Sequence, residues 1–241
     1  MSGPAGQRGR GSHAYTLITP ENQYVSRLPE LPDARFVKLV TPRLSPSRFG
    51  QYLIDAAPTG STMRLATERE HFVYGLAGNG LAGGAPLADE GFAYLPPGSE
   101  AELQLEPGAR VLWLTRHYEA PAQGGTPEAV TGHARAIAAV ATVVPGLWRR
   151  ELIDPLNPAF DFNMSLMSFD PGVALHQIEI HDEEHGLYMT AGGGDYLLGE
   201  DTHPVEADDF IYMPPYCPQC FRAGERGGEY LLYKDVYRTG F

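Results

Sequence analysis

The sequence predicts a mainly all-β protein: two tandem copies of a small antiparallel sandwich or barrel. Three observations carry this. Glycine and proline are dense, with 28 and 21 residues, which argues against long helices and for short strands joined by turns. Short words rich in β-branched and aromatic residues recur along the chain. They also recur twice in one order, the mark of an internal repeat.

The first copy reads, in order, RFVKLV, QYLIDA, HFVYGLAG, GFAYLP, AELQLE and RVLWLTR, with Gly, Pro or Asp between them. The second reads FDFNMSLMSFD, HQIEIH, GLYMTAG, DYLLG, DFIYMP and EYLLYKD. GFAYLPPGSEAEL (Gly91–Leu103) resembles DFIYMPPYCPQCF (Asp209–Phe221), and Phe92, Tyr94 and Pro96 each recur 118 positions later. VLWLTRHYE parallels EYLLYKDVY at the same offset, which aligns Arg116 with Lys234. EREHFVYGLAGNG parallels DEEHGLYMTAGGG with His71 and His185 114 apart, so one loop differs by about four residues. GLAGNGLAGG (Gly75–Gly84) lacks the strand-to-helix setting of a phosphate loop and reads as a hairpin.

The expected division is an N-terminal arm at 1–30, a first barrel at 31–120, a linker at 121–150 and a second barrel at 151–241. Within the linker, the Ala-rich window Thr126–Val143 predicts a helix. MSGPAGQRGRGS at the start has positive charge but no apolar run, and reads as a flexible arm rather than a secretory signal.

The net charge of −12, from 30 acidic and 18 basic residues, disfavours phosphate backbones and argues against a nucleic-acid partner. No apolar stretch approaches the roughly 18–20 residues of a membrane span. Cys217 and Cys220 are the only cysteines, so a disulfide framework is excluded and a cytoplasmic location fits. Their CxxC spacing has no second pair and no following helix, and reads as incidental.

The chemistry concentrates in QIEIHDEEHGLYM (Gln177–Met189). In an extended chain Glu179 and His181 share a face, and His185 keeps that parity or reaches it through a turn. One carboxylate and two imidazoles turned inward are costly unless a cation sits among them. HDEEH also has the i, i+4 histidines of a zincin helix, but Asp182 stands where that motif needs Glu, and the flanking residues read as strand. The plain alternative is two surface histidines beside an acidic turn. His176, at odd parity, is expected to face away.

The run from Gly172 through Glu179, His181 and His185 to Gly192 resembles the first metal motif of the cupins, with the outer Glu and His exchanged. The second cupin motif ends in a His five residues after a Pro; here Gln219 stands five after Pro214. The resemblance therefore implies a bicupin, two tandem cupin-type jelly-roll barrels joined by a short helical linker. Its ligand set would be Glu179, His181, His185 and Gln219. That exchanged set is similar to the (S)-ureidoglycine aminohydrolases of purine and allantoin degradation. FDFNMSLMSFDPG (Phe160–Gly172), EEHGLYMTAGGGDYLL (Glu183–Leu198) and YLLYKDVYR (Tyr230–Arg238) agree with it.

The family implies a manganese-dependent enzyme that converts (S)-ureidoglycine and water to (S)-ureidoglycolate and ammonia. It implies substrate contacts at Glu179, Gln219, Tyr230 and Lys234. Of these, Glu179 is the candidate catalytic proton carrier, and Lys234 would hold substrate charge or assist in proton transfer. Cys220 departs from the bulky aromatic expected beside Gln219. At the repeat offsets the four ligands become Leu65, Thr67, His71 and Ala101, so the first copy is expected to bind no metal.

Oxygen and nitrogen donors without thiolate suit Mn²⁺, while the histidines also admit Fe²⁺, Zn²⁺ or Ni²⁺. Four protein ligands on a six-coordinate ion leave two positions, which an α-amino acid fills through its carboxylate and α-nitrogen. The rival readings are an oxalate-decarboxylase-like or dioxygenase-like bicupin, and a non-catalytic metabolite-binding bicupin. Exposed sheet edges lead us to expect a homo-oligomer built on dimers, with a small ureide as the substrate partner.

Overall fold

The apolar words of the first copy form the strands Arg35–Val40, Phe49–Asp55, Glu70–Ala77, Gly91–Leu95, Glu102–Leu105 and Arg110–Arg116. The structure is a computed structural model that describes residues 7–43, 47–120 and 124–236. A seven-stranded antiparallel sheet runs in the order Val130–His133, Gly91–Leu95, Glu70–Ala77, Arg110–Arg116, Phe49–Asp55, Arg35–Val40 and Val25–Ser26. A four-stranded sheet of Ser61–Arg64, Glu102–Leu105, Gly80–Ala82 and Ala85–Leu87 faces it. The hairpin expected at Gly75–Gly84 lies at Gly80–Leu87, with Gly83 and Gly84 at φ +57° and +82° between paired Ala82 and Ala85. Two consecutive positive φ values are the signature of a two-residue primed turn.

The second copy builds one nine-stranded sheet. Its order is Arg10–Gly11, Thr16–Ile18, Phe210–Met213, His185–Leu198, Gln219–Asp235, Phe162–Phe169, Leu147–Ile153 and Val140–Ala141, with Asp201–Glu206 paired to His185–Leu198. GLYMTAG and DYLLG are one continuous strand of 14 residues, whose register against its neighbour shifts at Met189/Ala191 and Gly192/Gly194. A Cβ on Gly194 would stand 2.0 Å from the Arg222 carbonyl, and one on Gly192 2.3 Å from that of Gly227. The glycines let the long strands bend in contact, which folds the sheet over itself.

The central strands are buried on both faces. Val73 and Val111 fill the first barrel, while Phe72, Leu112 and Leu114 turn outward onto Met164, Leu166, Tyr188, Leu231 and Tyr233 of the second. Tyr230, one residue from Leu231, points instead into the second barrel with Leu187, Met189 and Phe221. Two-sided burial is why RVLWLTR and EYLLYKD read as unbroken apolar runs.

Three expectations are corrected. No helix forms over Thr126–Val143. Val130–His133 pairs with Gly91–Leu95, and a single 3₁₀ turn, Ala134–Ala136, follows. The β-branched Val130 and Thr131 and an open sheet edge outweigh the alanines. HQIEIH is not a ladder strand; one isolated bridge, Glu179 to Gln219, lies within it and another, Ala174 to Arg222, just before it. The N-terminal arm from residue 7 is docked. Thr16–Ile18 pairs with Phe210–Met213 of the second half, and Arg8 donates to the buried Asp209 at 2.5 and 3.0 Å. The first six residues of that arm and the end of the Tyr230–Arg238 word lie outside the described residues.

The duplication is written in the backbone. Leu65 N donates to Ala101 O, and Glu179 N to Gln219 O, both at 2.9 Å; Gly98 N donates to Thr67 O, and Tyr216 N to His181 O, both at 2.7 Å. Tyr94 donates to Glu70, and Tyr212 to Glu184, across the same turn of each copy. One alignment shifts: His71 lies opposite Thr115, and His185 opposite Lys234, so Lys234 matches Thr115 and Asp235 matches Arg116. The extra residue falls between Gln219 and Gly227, the counterparts of Ala101 and Gly108. Both of those glycines have positive φ, +80° and +73°. Among the described residues no helix is long and apolar enough to cross a membrane.

Candidate metal centre and active site

The segment before His185 crosses the second barrel as an extended chain tied at two points. Glu179 exchanges both backbone bonds with Gln219, at 2.9 and 3.0 Å, and Tyr216 N holds His181 O. Ile178 and Ile180 face outward, 55% and 60% exposed. Alternation therefore turns Glu179 and His181 inward. His185 begins the long strand behind them and is buried. His176 is exposed.

Three of the four expected ligands converge. His181 Nε2 lies 3.0 Å from His185 Nε2 and 3.2 Å from the Gln219 carboxamide nitrogen. A half-turn of that carboxamide exchanges its nitrogen and oxygen and offers an oxygen at the same place. Burial, then His181, then Lys234 hold the His185 pKa well below its ordinary value, so the ring is a neutral donor. Among the described residues no three His, Cys, Asp or Glu side chains form a metal-holding group. The Glu179 carboxylate is not gathered with the histidines. It faces the same interior, where its charge acts on Tyr230, Tyr196 and Cys220.

Tyr230 is buried among Phe169 and Phe221, and burial followed by Glu179 raises its pKa. Lys234 shares its strand face, with Nζ 3.2 Å from Glu183 Oε1. Cys220 is half-buried beside Gln219, with its thiol pKa raised by burial and by Glu179. Two residues here were missed in the sequence. Tyr196 is buried with its hydroxyl 3.5 Å from Gln219 Oε1. Glu183 Oε2 lies 2.9 Å from His181 Nδ1. The register shifts between His185 and Tyr196 hide the first, since simple alternation fails across them. The second sits in HDEEH, a run of five acidic and imidazole residues that offers no period.

The first barrel holds Leu65, Thr67, His71 and Ala101 at the matching positions. His71 is buried, and both its nitrogens are engaged: Trp113 Nε1 donates to Nδ1 at 3.2 Å, and Nε2 lies 2.9 Å from Ala66 O. A cavity of about 490 Å³ opens there, lined by Leu65, Thr67 and Ala101 with Arg64, Glu100 and Glu102 at its rim.

No protein-family model matches the chain. The (S)-ureidoglycine aminohydrolase of Arabidopsis thaliana is 33% identical over 231 residues, covering 93% of this chain and 76% of that protein. The (S)-ureidoglycine aminohydrolase of Escherichia coli strain K12 is 31% identical over 237 residues, covering 93% and 89%. The crystal structure of protein Ylba from E. coli superposes with a TM-score of 0.84 at 26% identity over 98% of this chain and 97% of that one. A cupin 2 conserved barrel domain protein from Leptotrichia buccalis superposes at 0.62 with 14% identity, over 91% and 95%, and shares the fold.

Proposed function

The chain belongs to the (S)-ureidoglycine aminohydrolase family, and we propose that it hydrolyses (S)-ureidoglycine to (S)-ureidoglycolate and ammonia in its second barrel. The observation that carries this is the meeting of His181, His185 and Gln219 within 3.0–3.2 Å beside Glu179, Tyr230 and Lys234.

The donor set fits a divalent cation. The His181 and His185 Nε2 atoms face each other at 3.0 Å with the Gln219 carboxamide beside them, and a cation there would take both ring lone pairs. His181, His185 and Gln219 would hold it, with Glu179 joining by a change of rotamer. The Gln219 and Glu179 oxygens suit Mn²⁺, and the imidazoles also admit Fe²⁺, Zn²⁺ or Ni²⁺. When bound, the cation supplies charge that anchors the substrate and polarises its reacting carbon.

The chain's own groups do the rest. Lys234 meets the substrate carboxylate, and Tyr230 closes the apolar wall against the reacting carbon. The α-carbon–amine bond breaks as a proton reaches the departing nitrogen. The neighbouring ureido N–H gives up a proton, leaving a C=N bond. Water then adds its hydroxyl to carbon and its proton to nitrogen. Glu179 carries the protons, since a carboxylate outside the imidazole cluster is able to take and return one.

Fresh (S)-ureidoglycine tests this. Ammonia release above the uncatalysed blank, with (S)-ureidoglycolate as product, is expected. A rate equal to the blank in metal-replete protein overturns the proposal. Glu179→Gln should lower kcat by about 10²-fold or more; unchanged turnover removes Glu179 from the chemistry.

A further inference from the structure

We propose that Glu183 is a positioning residue: one carboxylate that fixes the ring of His181 and tethers Lys234, joining the cation ligands to the substrate-binding lysine. This rests on the reading of the site given above. Glu183 Oε2 stands 2.9 Å from His181 Nδ1, and Oε1 3.2 Å from Lys234 Nζ. His181 Nδ1 makes no aligned hydrogen bond as it stands, and a small rotation of either side chain would bring its N–H onto the Glu183 carboxylate. Glu184, next in the chain, points the opposite way, to Tyr212 and the Arg48 amide at the barrel interface. Glu183 is therefore the acidic neighbour that turns toward the site.

The chemical consequence follows from the imidazole. An imidazole that binds a cation does so with one ring nitrogen and keeps its single proton on the other. A carboxylate beside Nδ1 favours the proton there, which leaves the Nε2 lone pair facing His185 and Gln219. Such a carboxylate also raises the donor strength of the ring. The second oxygen holds the Lys234 ammonium at the edge of the same cluster.

The duplication supplies an internal comparison. His181, Glu183 and Lys234 become Thr67, Arg69 and Thr115 in the first barrel. All three members of the triad are absent from the copy whose His71 is engaged on both nitrogens.

The test compares wild type with E183Q and E183A as full chains, with H185A as a control. Mn²⁺ affinity is read by competition with a chelator, and the His181 tautomer by long-range ¹H–¹⁵N correlation on metal-free protein. E183Q keeps the side-chain shape, so its fold is preserved. Expected are Mn²⁺ binding weaker by about 10–100-fold, a changed His181 tautomer and a raised KM in both variants. Mn²⁺ affinity within about twofold of wild type with an unchanged tautomer overturns the proposal. If H185A loses Mn²⁺ in that case, only the role of Glu183 has failed. If H185A also binds Mn²⁺ as wild type does, the reading of the site itself has failed.

Discussion

Replacing Arg116 by Met should loosen the join between the barrels. Arg116 is 1% exposed and faces three carboxylates: Asp161 and Asp235 at 3.2 Å and Glu70 at 3.4 Å. It also donates to the Tyr233 hydroxyl at 2.7 Å. At an effective dielectric of about 20, each carboxylate contact is worth roughly 5 kcal/mol of gross attraction. Much of that offsets the desolvation of Arg116 and its charged partners, Glu70 being uncharged near neutrality. What the substitution exposes is the cost of the stranded acids, about 3–5 kcal/mol for a broken buried pair.

The pH dependence has a definite sign. Burial and Asp161 already hold Glu70 up at about 9. Without the cation, Asp161 and Glu70 face each other with no positive charge between them, which favours their neutral forms, while Asp235 keeps Arg48. A carboxyl raised in the folded state costs stability that grows as pH climbs from its unfolded value of about 4. The deficit of Arg116→Met should therefore be small near pH 4–5 and largest above neutrality. Urea unfolding followed by tryptophan fluorescence across pH 4.5–8.5 measures it. A loss below about 1 kcal/mol at pH 8, or one that does not change with pH, refutes the reasoning.

Two further predictions follow from the packing and the site. Gly186→Ala places a methyl 2.6 Å from Gln51 Oε1 and 2.7 Å from the buried Phe49 ring of the other barrel, and should cost about 1–3 kcal/mol by urea unfolding. An unchanged midpoint would mean the barrels adjust freely at their interface. His185→Ala should abolish Mn²⁺ binding while His71→Ala leaves it at the wild-type level, read by metal content after dialysis. Equal loss in both would give the first barrel a metal role that its leucine, threonine and alanine cannot explain.

Much of the fold was legible because strand chemistry is local. Val, Ile, Tyr and Phe words between Gly and Pro turns marked nearly every ladder, and the repeat offsets put Leu65 and Glu179, then Ala101 and Gln219, at matching bonds. What escaped depended on contacts far along the chain. The Thr126–Val143 window has alanines enough for a helix, but the Gly91–Leu95 edge captured Val130–His133 as a strand. Arg8 looked like part of a loose arm until Asp209 received it. The Lys234 alignment slipped by one because a single inserted residue leaves the words similar.

In the site, parity predicted that Glu179 and His181 share a face, and the outward Ile178 and Ile180 agree with that spacing. Parity was silent on Tyr196, which lies beyond two register shifts. It was also silent on Glu183, whose partners are a ring nitrogen two residues back and a lysine on another strand.

The most direct test of the account strips the protein of metal and measures ammonia release from freshly made (S)-ureidoglycine before and after Mn²⁺ is restored. The account predicts blank-level rates in stripped protein. It predicts return of (S)-ureidoglycolate-forming activity at about one Mn²⁺ per chain, and none in His185→Ala. Full activity in stripped protein, or activity that Mn²⁺ restores equally well in His185→Ala, would contradict it.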